Sequence, residues 1–247
     1  MTRPISMALA ATAIALTPAC AQGQVDTADK EAIEKIVYDY IMENPQIIEE
    51  ALIALYDQRE AEEAERARAA IAENQDALVN NPADYSIGPA DAPVTVVEFF
   101  DYRCGYCKRS ADWAISLPEK YNNQVRVVFK EFPILSTESE KAALAAIAAG
   151  KQGKYVEMHM ALMELDNGSG FGPEQIDAAA ESAGVDVARM RADMSSLDVQ
   201  KTVADSKSLA RTLGMTGTPN FIVGTDQVPS ANIQAVEQLI ETALADS

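Results

Sequence analysis

The sequence predicts an α/β protein whose sheet is interrupted by a block of helices and preceded by a separate helical stretch. Three observations predict it. Two short apolar runs, "VTVVEFF" (94–100) and "VRVVFKEFP" (125–133), are rich in β-branched and aromatic residues, as strands buried on both faces are. From 136 to 213 the apolar residues recur at helical spacing, and strand signal returns only at "NFIVG" (220–224). From 26 to 82 the chain uses helix formers and no glycine.

The chain opens with "MTRPISMALAATAIALTPACAQ". Arg3, an apolar stretch from about 5 to 16 and Ala19-Cys20-Ala21 as a small-x-small site read as a secretory signal over 1–21, cut after Ala21. The apolar stretch is shorter than the roughly 20 residues that span a bilayer, and no other segment reaches that length, so stable membrane insertion is not expected. Acylation of Cys20 is disfavoured, because Thr17 and Pro18 stand where a lipoprotein site would resemble Leu and a small residue.

Residues 22–83 read as an N-terminal helical stalk and linker. Ile33, Ile36, Val37, Tyr40 and Ile41 form one helical face. Asn44 as N-cap and Pro45 at the first helical position then start a second helix with Ile47, Ile48, Ala51, Leu52, Leu55 and Tyr56 as its stripe. From Asp57 to Arg68 charge replaces the stripe, with Glu62/Arg66 as a helical pair, so this part reads as a solvated rod. A rod of about 35 residues at roughly 1.5 Å each reaches about 50 Å. Two short helices cannot bury that apolar tip between themselves, which predicts a homo-oligomer.

Residues 84–247 read as the main domain. After the first strand comes a helix, then the second strand, then Thr137 and Glu140 in capping-box spacing before an alanine-rich helix. The helical insertion runs to about 213, with Gly214 as its stop, and "SANIQAVEQLIETALAD" closes the chain as a helix. The order strand, helix, strand, helical insert, strand, helix gives α/β or α+β layering.

The net charge of −18 excludes nucleic acid and anionic lipid surfaces as partners by repulsion, and fits solubility in an exported compartment. With Cys20 in the signal, the mature chain keeps Cys104 and Cys107 alone, in "DYRCGYCKRS". A Cys-x-x-Cys pair after a buried strand and at the start of a helix suits dithiol redox chemistry, because helix N-terminal N–H groups favour a thiolate at the first cysteine. Such surroundings lower a thiol from about 8.5 to roughly 3.5–7.5. Lys108 and Arg109 add positive charge nearby. Cys104 is therefore read as the attacking thiolate and Cys107 as the resolving thiol.

A structural disulfide this short would constrain the unfolded chain little, and zinc needs four ligands where two cysteines and one histidine exist. Copper(I) on two thiolates stays chemically possible. The single histidine, His159, lies far along the chain and is expected at the surface or in domain packing. Met158, Met160 and Met163 beside it suit a core or a peptide groove.

"VTVVEFFDYRCGYC", followed far downstream by "GMTGTPNFIVG", resembles the DsbA-type branch of the thioredoxin superfamily, whose thioredoxin fold carries an inserted helical domain. The resemblance covers about 85 to the C-terminus. "YIMENPQIIEEAL" ahead of a charged rod resembles the trimerisation stalk of ScsC-type proteins, periplasmic disulfide isomerases associated with copper tolerance. The resemblance implies a cis bond at Thr218-Pro219, with Thr218 facing the cysteines and lining the substrate groove. It also implies a buried pair of Glu98 and Lys130 beneath them, able to move the resolving thiol's proton.

The monomeric oxidases of that family carry Pro-His between the cysteines and Val before the proline. Here Gly105-Tyr106 and Thr218 occupy those places, which points to a weaker oxidant and to isomerisation. The resemblance implies a periplasmic enzyme that needs no cofactor or metal and acts on unfolded or misoxidised exported proteins, with a membrane redox partner and a trimer favoured. A net oxidase or reductase, or a copper(I)-binding or chaperone protein, are the competing readings.

Overall fold

The computed structural model describes residues 27–168 and 170–246. The signal reading, with Cys20, lies outside the described residues. The chain divides into two units, one ending at Gln58 and one running from Arg59 onward.

In the first unit, α1 (Thr27–Glu43) is followed by the opening turns of α2 (Gln46–Glu73). Asn44 does not cap α2 as the spacing predicts. Its side-chain amide donates instead to the Tyr40 carbonyl at 2.9 Å, which also accepts from Asn44 N–H at 3.0 Å, closing the end of α1. Ile33, Ile36, Val37, Tyr40, Ile48, Leu52 and Leu55 are all exposed, from 41% to 66%. A stripe of that size on two exposed helices needs cover from elsewhere.

In the second unit, α2 ends at Glu73 and a short α3 (Gln75–Val79) follows. Ile71 and Leu78 are fully buried against Val97, Phe99 and Val128, so the end of α2 and α3, predicted to be linker, contribute to the sheet's core, while 59–66 stay exposed. Their apolar residues are too few for a stripe, which is why charge hid them.

The sheet contains β1 (Tyr85–Ile87), β2 (Val94–Phe100), β3 (Val125–Glu131), β4 (Asn220–Val223) and β5 (Asp226–Pro229), in the order β1-β3-β2-β4-β5. β2 and β3 are parallel, joined by α4 (Gly105–Lys120), while β1, β4 and β5 pair antiparallel. Between β3 and β4 lies the helical insert: α5 (Thr137–Gly150), α6 (Tyr155–Glu164), α7 (Pro173–Ser182), α8 (Val187–Asp193) and α9 (Leu197–Thr212), with α10 (Ile233–Ala245) closing the chain. This is the thioredoxin fold with an inserted helical domain.

Strand alternation sorts the core into two layers. Val94, Val96 and Phe100 of β2 face the side holding Cys107, Ala111, Leu117, Val236 and Ile240. Val97 and Phe99 face Ile71, Leu78, Ala210 and Leu213. Ser136, not Thr137, caps α5, its hydroxyl accepting from Ser139 N–H at 3.1 Å. Gly214 stops α9 with φ +73°, a left-handed position that costs a residue without Cβ little, while Met215 N–H closes on the Ala210 carbonyl at 2.9 Å. Among the described residues, no helix is long and apolar enough to cross a membrane.

Candidate active site

The two cysteines sit where β2 hands over to α4, and the turn between them is held by Asp101. Its buried carboxylate accepts from Arg103 N–H at 2.8 Å and from the N–H groups of Ile134 and Leu135, both at 2.9 Å. One side chain thus ties the approach to Cys104 to the loop after β3. Cys104 is the N-cap, with φ −74° and ψ 115°, and its carbonyl accepts the first helical bond from Lys108 N–H. Both cysteines are free thiols; Cys104 is 7% exposed and Cys107 fully buried.

The Thr218-Pro219 bond is cis, and the loop it belongs to brings the Thr218 carbonyl oxygen to 3.1 Å from Cys104 Sγ. Hydrogen bonds hold the Cys104 thiol down at about 5. The Cys107 thiol contributes most, and the Thr218 side chain and the N–H groups of Cys107 and Tyr106 add to it, against the burial that would raise it. Burial pushes Cys107 far up, and its bond to Cys104 and the charge of Glu98 push the same way.

Glu98 lies on the cysteine side of the sheet, 1% exposed, and among the described residues neither carboxylate oxygen has a hydrogen-bond partner. Burial first, and the charge of Cys104 second, raise it to about 8. The expected pairing with Lys130 is absent. In the parallel register Glu98 is level with Phe129 and Lys130 with Phe99, so the two side chains leave opposite faces. Lys130 is buried and ion-paired with Asp84, and its ammonium also donates to the Ala77 carbonyl at 2.6 Å. Burial pulls Lys130 down and Asp84 up, and their ion pair opposes both.

The two cations after Cys107 also act elsewhere than the sequence suggests. Lys108 Nζ donates to the carbonyls of Met163 at 2.8 Å and Leu165 at 2.7 Å, capping the C-terminal end of α6, and burial lowers it to about 8. Arg109 stacks its guanidinium 4.3 Å above the Tyr106 ring. Hydrogen bonds, not these charges, set the acidity of Cys104.

Sequence reasoning did not find Asp101 or the buried polar cluster behind it. Glu131 Oε1 accepts from Tyr102 OH at 3.1 Å and Tyr155 OH at 3.0 Å, and Tyr102 OH also lies 3.1 Å from His159 Nδ1. His159 is fully buried among aromatic rings, which fits packing and excludes the surface, and burial lowers it to about 3. An aspartate just before a helix cap is a known loop anchor and could have flagged Asp101. No spacing links Glu131 to residues 24 and 29 positions away.

Two neighbouring thiols pushed so far apart in acidity divide the work of dithiol exchange, one poised to attack and one held back. A chain that builds them at the exit of a central strand, under a cis-proline loop, is a thiol-disulfide oxidoreductase. It belongs to the thioredoxin family, whose profile matches residues 80–242, and residues 29–62 match the "Copper resistance protein ScsC N-terminal domain".

Among solved structures it is similar to a thioredoxin-like oxidoreductase from Silicibacter pomeroyi, 36% identical, covering 70% of this chain and 98% of that one, with a TM-score of 0.65. Proteus mirabilis ScsC in a transitional conformation is 30% identical over 89% of this chain and 99% of its own, with a TM-score of 0.64. A curated relative, the Na(+)/H(+) antiporter NhaA 1 of Salinispora arenicola, is 31% identical over 74% of this chain, which spans only 29% of that protein's length.

Proposed function

We propose that this enzyme is an exported disulfide isomerase acting on misoxidised proteins, with Cys104 as nucleophile and Cys107 as resolving thiol. The observation that carries the reading is the gap between the two thiols, Cys104 lowered to about 5 and Cys107 raised far above its ordinary range. At neutral pH Cys104 is a thiolate and attacks a client disulfide. The bond to one client sulfur forms as the client S–S bond breaks, and the departing client thiolate keeps the electron pair.

Cys104 is also a good leaving group, because its thiolate is stable. Cys107 is slow to displace it while it keeps its proton. The client's own thiolate therefore has time to attack the mixed disulfide, form a new client disulfide and release Cys104 unchanged. That sequence is isomerisation, with no net electron transfer. When Cys107 does attack, its proton must leave first, and Glu98, close enough for its charge to act on both thiols, receives it once its own carboxyl has ionised. The products are then a reduced client and a Cys104–Cys107 disulfide.

Thr218 supplies the docking edge. While protonated, the Cys104 thiol donates to the Thr218 carbonyl. Once ionised it has no proton to donate, and that carbonyl can accept from a client backbone N–H in strand-like pairing.

The exposed stripe from Ile33 to Leu55 supports self-association through the first unit, and likeness to the ScsC N-terminal domain supports a trimer. Several catalytic domains around one client raise the local thiol concentration. The signal-like start supports the periplasm, where a membrane redox partner would reset the thiols. The test is refolding of a scrambled-disulfide substrate by wild type and by Cys107→Ser. Retained refolding with loss of net disulfide reduction supports isomerisation. Loss of both would make the chain a net oxidase or reductase.

A further inference from the structure

From Arg103 to Arg109, across its reactive thiols, this acidic chain carries cations and no carboxylate. It carries 38 Asp and Glu against 20 Lys and Arg, yet Arg103, Lys108 and Arg109 lie within six positions of one another. Two of the three are occupied. Arg103 donates to the Asn167 carbonyl at 3.1 Å and pairs with Glu138 at 3.6 Å, and Lys108 caps α6.

Arg109 is different. Among the described residues it makes no ion pair, although Asp112 stands one turn further on. Its guanidinium carbon rests 4.3 Å from the centre of the Tyr106 ring, which is 58% exposed. A Cβ placed on Gly105 would lie 3.8 Å from Arg109 Nη1. The guanidinium is therefore spread over the two residues between the cysteines, at the rim of the site and open to solvent. Stacking leaves the N–H edge of a guanidinium free to bind an anion, and it lowers the entropy lost when it does so.

We infer that the Arg109–Tyr106 pair reads the client, favouring segments that carry an Asp or Glu beside the cysteine under attack. The pairing chemistry is guanidinium to carboxylate, held at a fixed place relative to Cys104 by the Tyr106 ring. A chain with a net charge of −18 repels acidic clients at long range, so a local cation is what lets them approach the sulfur.

This inference rests on the exchange chemistry proposed above. Its test uses the reduced full-length chain and three peptides, each with one cysteine carried as a mixed disulfide with pyridine-2-thiol, flanked by Glu, Gln or Lys. The Cys104 thiolate forms a disulfide to the peptide and displaces pyridine-2-thiolate, which takes up a proton as the thione, so the release is followed optically. The Glu peptide is expected to react about two- to five-fold faster than the Lys peptide at low salt, the scale of one exposed ion pair. High salt should shrink that ratio.

Arg109→Gln should bring the ratio to one or below, Arg109→Glu should lower it further, and Tyr106→Ala should lower it by freeing the guanidinium. A ratio unchanged in Arg109→Glu, or a faster Lys peptide with wild type, overturns the inference while leaving exchange intact. Failure of all three peptides to form an adduct removes the exchange chemistry itself, and the inference with it.

Discussion

Glu98 and Lys130 stand on hydrogen-bonded neighbouring strands and face opposite sides of the sheet, with Glu98 level with Phe129 and Lys130 level with Phe99. The lysine's charge is answered by Asp84, on the side away from the cysteines, where both side chains are 5% exposed or less. Asp84→Ala leaves a buried ammonium without its counter-charge, and should cost about 3 to 5 kcal/mol in urea unfolding. A double-mutant cycle between Glu98 and Lys130 should be additive within about 0.5 kcal/mol. A coupling well above that would put the two residues back in contact.

Glu98 itself carries a stability penalty that depends on pH. A carboxyl raised to about 8 in the fold keeps its proton where the unfolded chain has lost it, so its contribution falls as pH rises from about 4.5 through about 8. In the disulfide form burial is the part of that shift that remains. Glu98→Leu should therefore flatten the stability of the oxidised protein over this range and raise it by roughly 1 to 3 kcal/mol at pH 8. The same change removes the acceptor for the Cys107 proton, so release of a trapped mixed disulfide by Cys107 should slow. Unfolding midpoints at pH 5 and pH 8 decide the first part. An unaltered release rate would relieve Glu98 of its proposed role.

The legible part of the site is the part that follows the chain. Gly105 and Tyr106 between two cysteines, strands at 94–100 and 125–131, and a helical insert ending at Gly214 all follow from local pattern. The Thr218-Pro219 geometry came through family resemblance, since "TGTP" alone reads as an ordinary turn. What escaped depends on parity and on distance. Whether Lys130 can meet Glu98 turns on a single step of register, and its actual partner, Asp84, lies 46 positions earlier at the very start of the main domain. Ile71 and Leu78 were hidden in the same way, two core residues inside a charged stretch.

The buried cluster of Tyr102, Glu131, Tyr155 and His159 joins the cysteine loop, the end of β3 and the inserted α6 through hydroxyl donors. Tyr102→Phe and Tyr155→Phe each remove one donor to the Glu131 carboxylate, and each should cost about 1 to 3 kcal/mol. Burial already holds Glu131 well above the carboxylate range, and these two hydrogen bonds oppose that rise. Without either one, the carboxyl rises further. The pH-dependent fall in stability above the ordinary carboxylate range should then continue to a higher pH in the variants than in wild type, which denaturation at several pH values would display. A fall that ends at the same pH in wild type and variants would mean the hydroxyls do not bear on Glu131.

Cys104 offers the most direct measurement, because Cys107 contributes the largest of the hydrogen bonds that lower its pKa. Cys107→Ser keeps a donor at that place and should hold the Cys104 midpoint near 5. Cys107→Ala removes the donor and should move the midpoint upward, toward the ordinary thiol value of about 9. Ionisation linked to the fold adds a second signature. A thiol lowered from 9 to about 5 stabilises the reduced protein fully above pH 9, and that contribution is lost as pH falls through about 5. The disulfide form lacks this dependence, so the stability gap between reduced and oxidised protein should shift toward the reduced form as pH rises from 5 to 9. Thiolate ultraviolet absorbance titrated across that range, with alkylation rates on the same samples, reads the midpoint. Equal midpoints in Cys107→Ser and Cys107→Ala would show that the pair does not share a proton in this way.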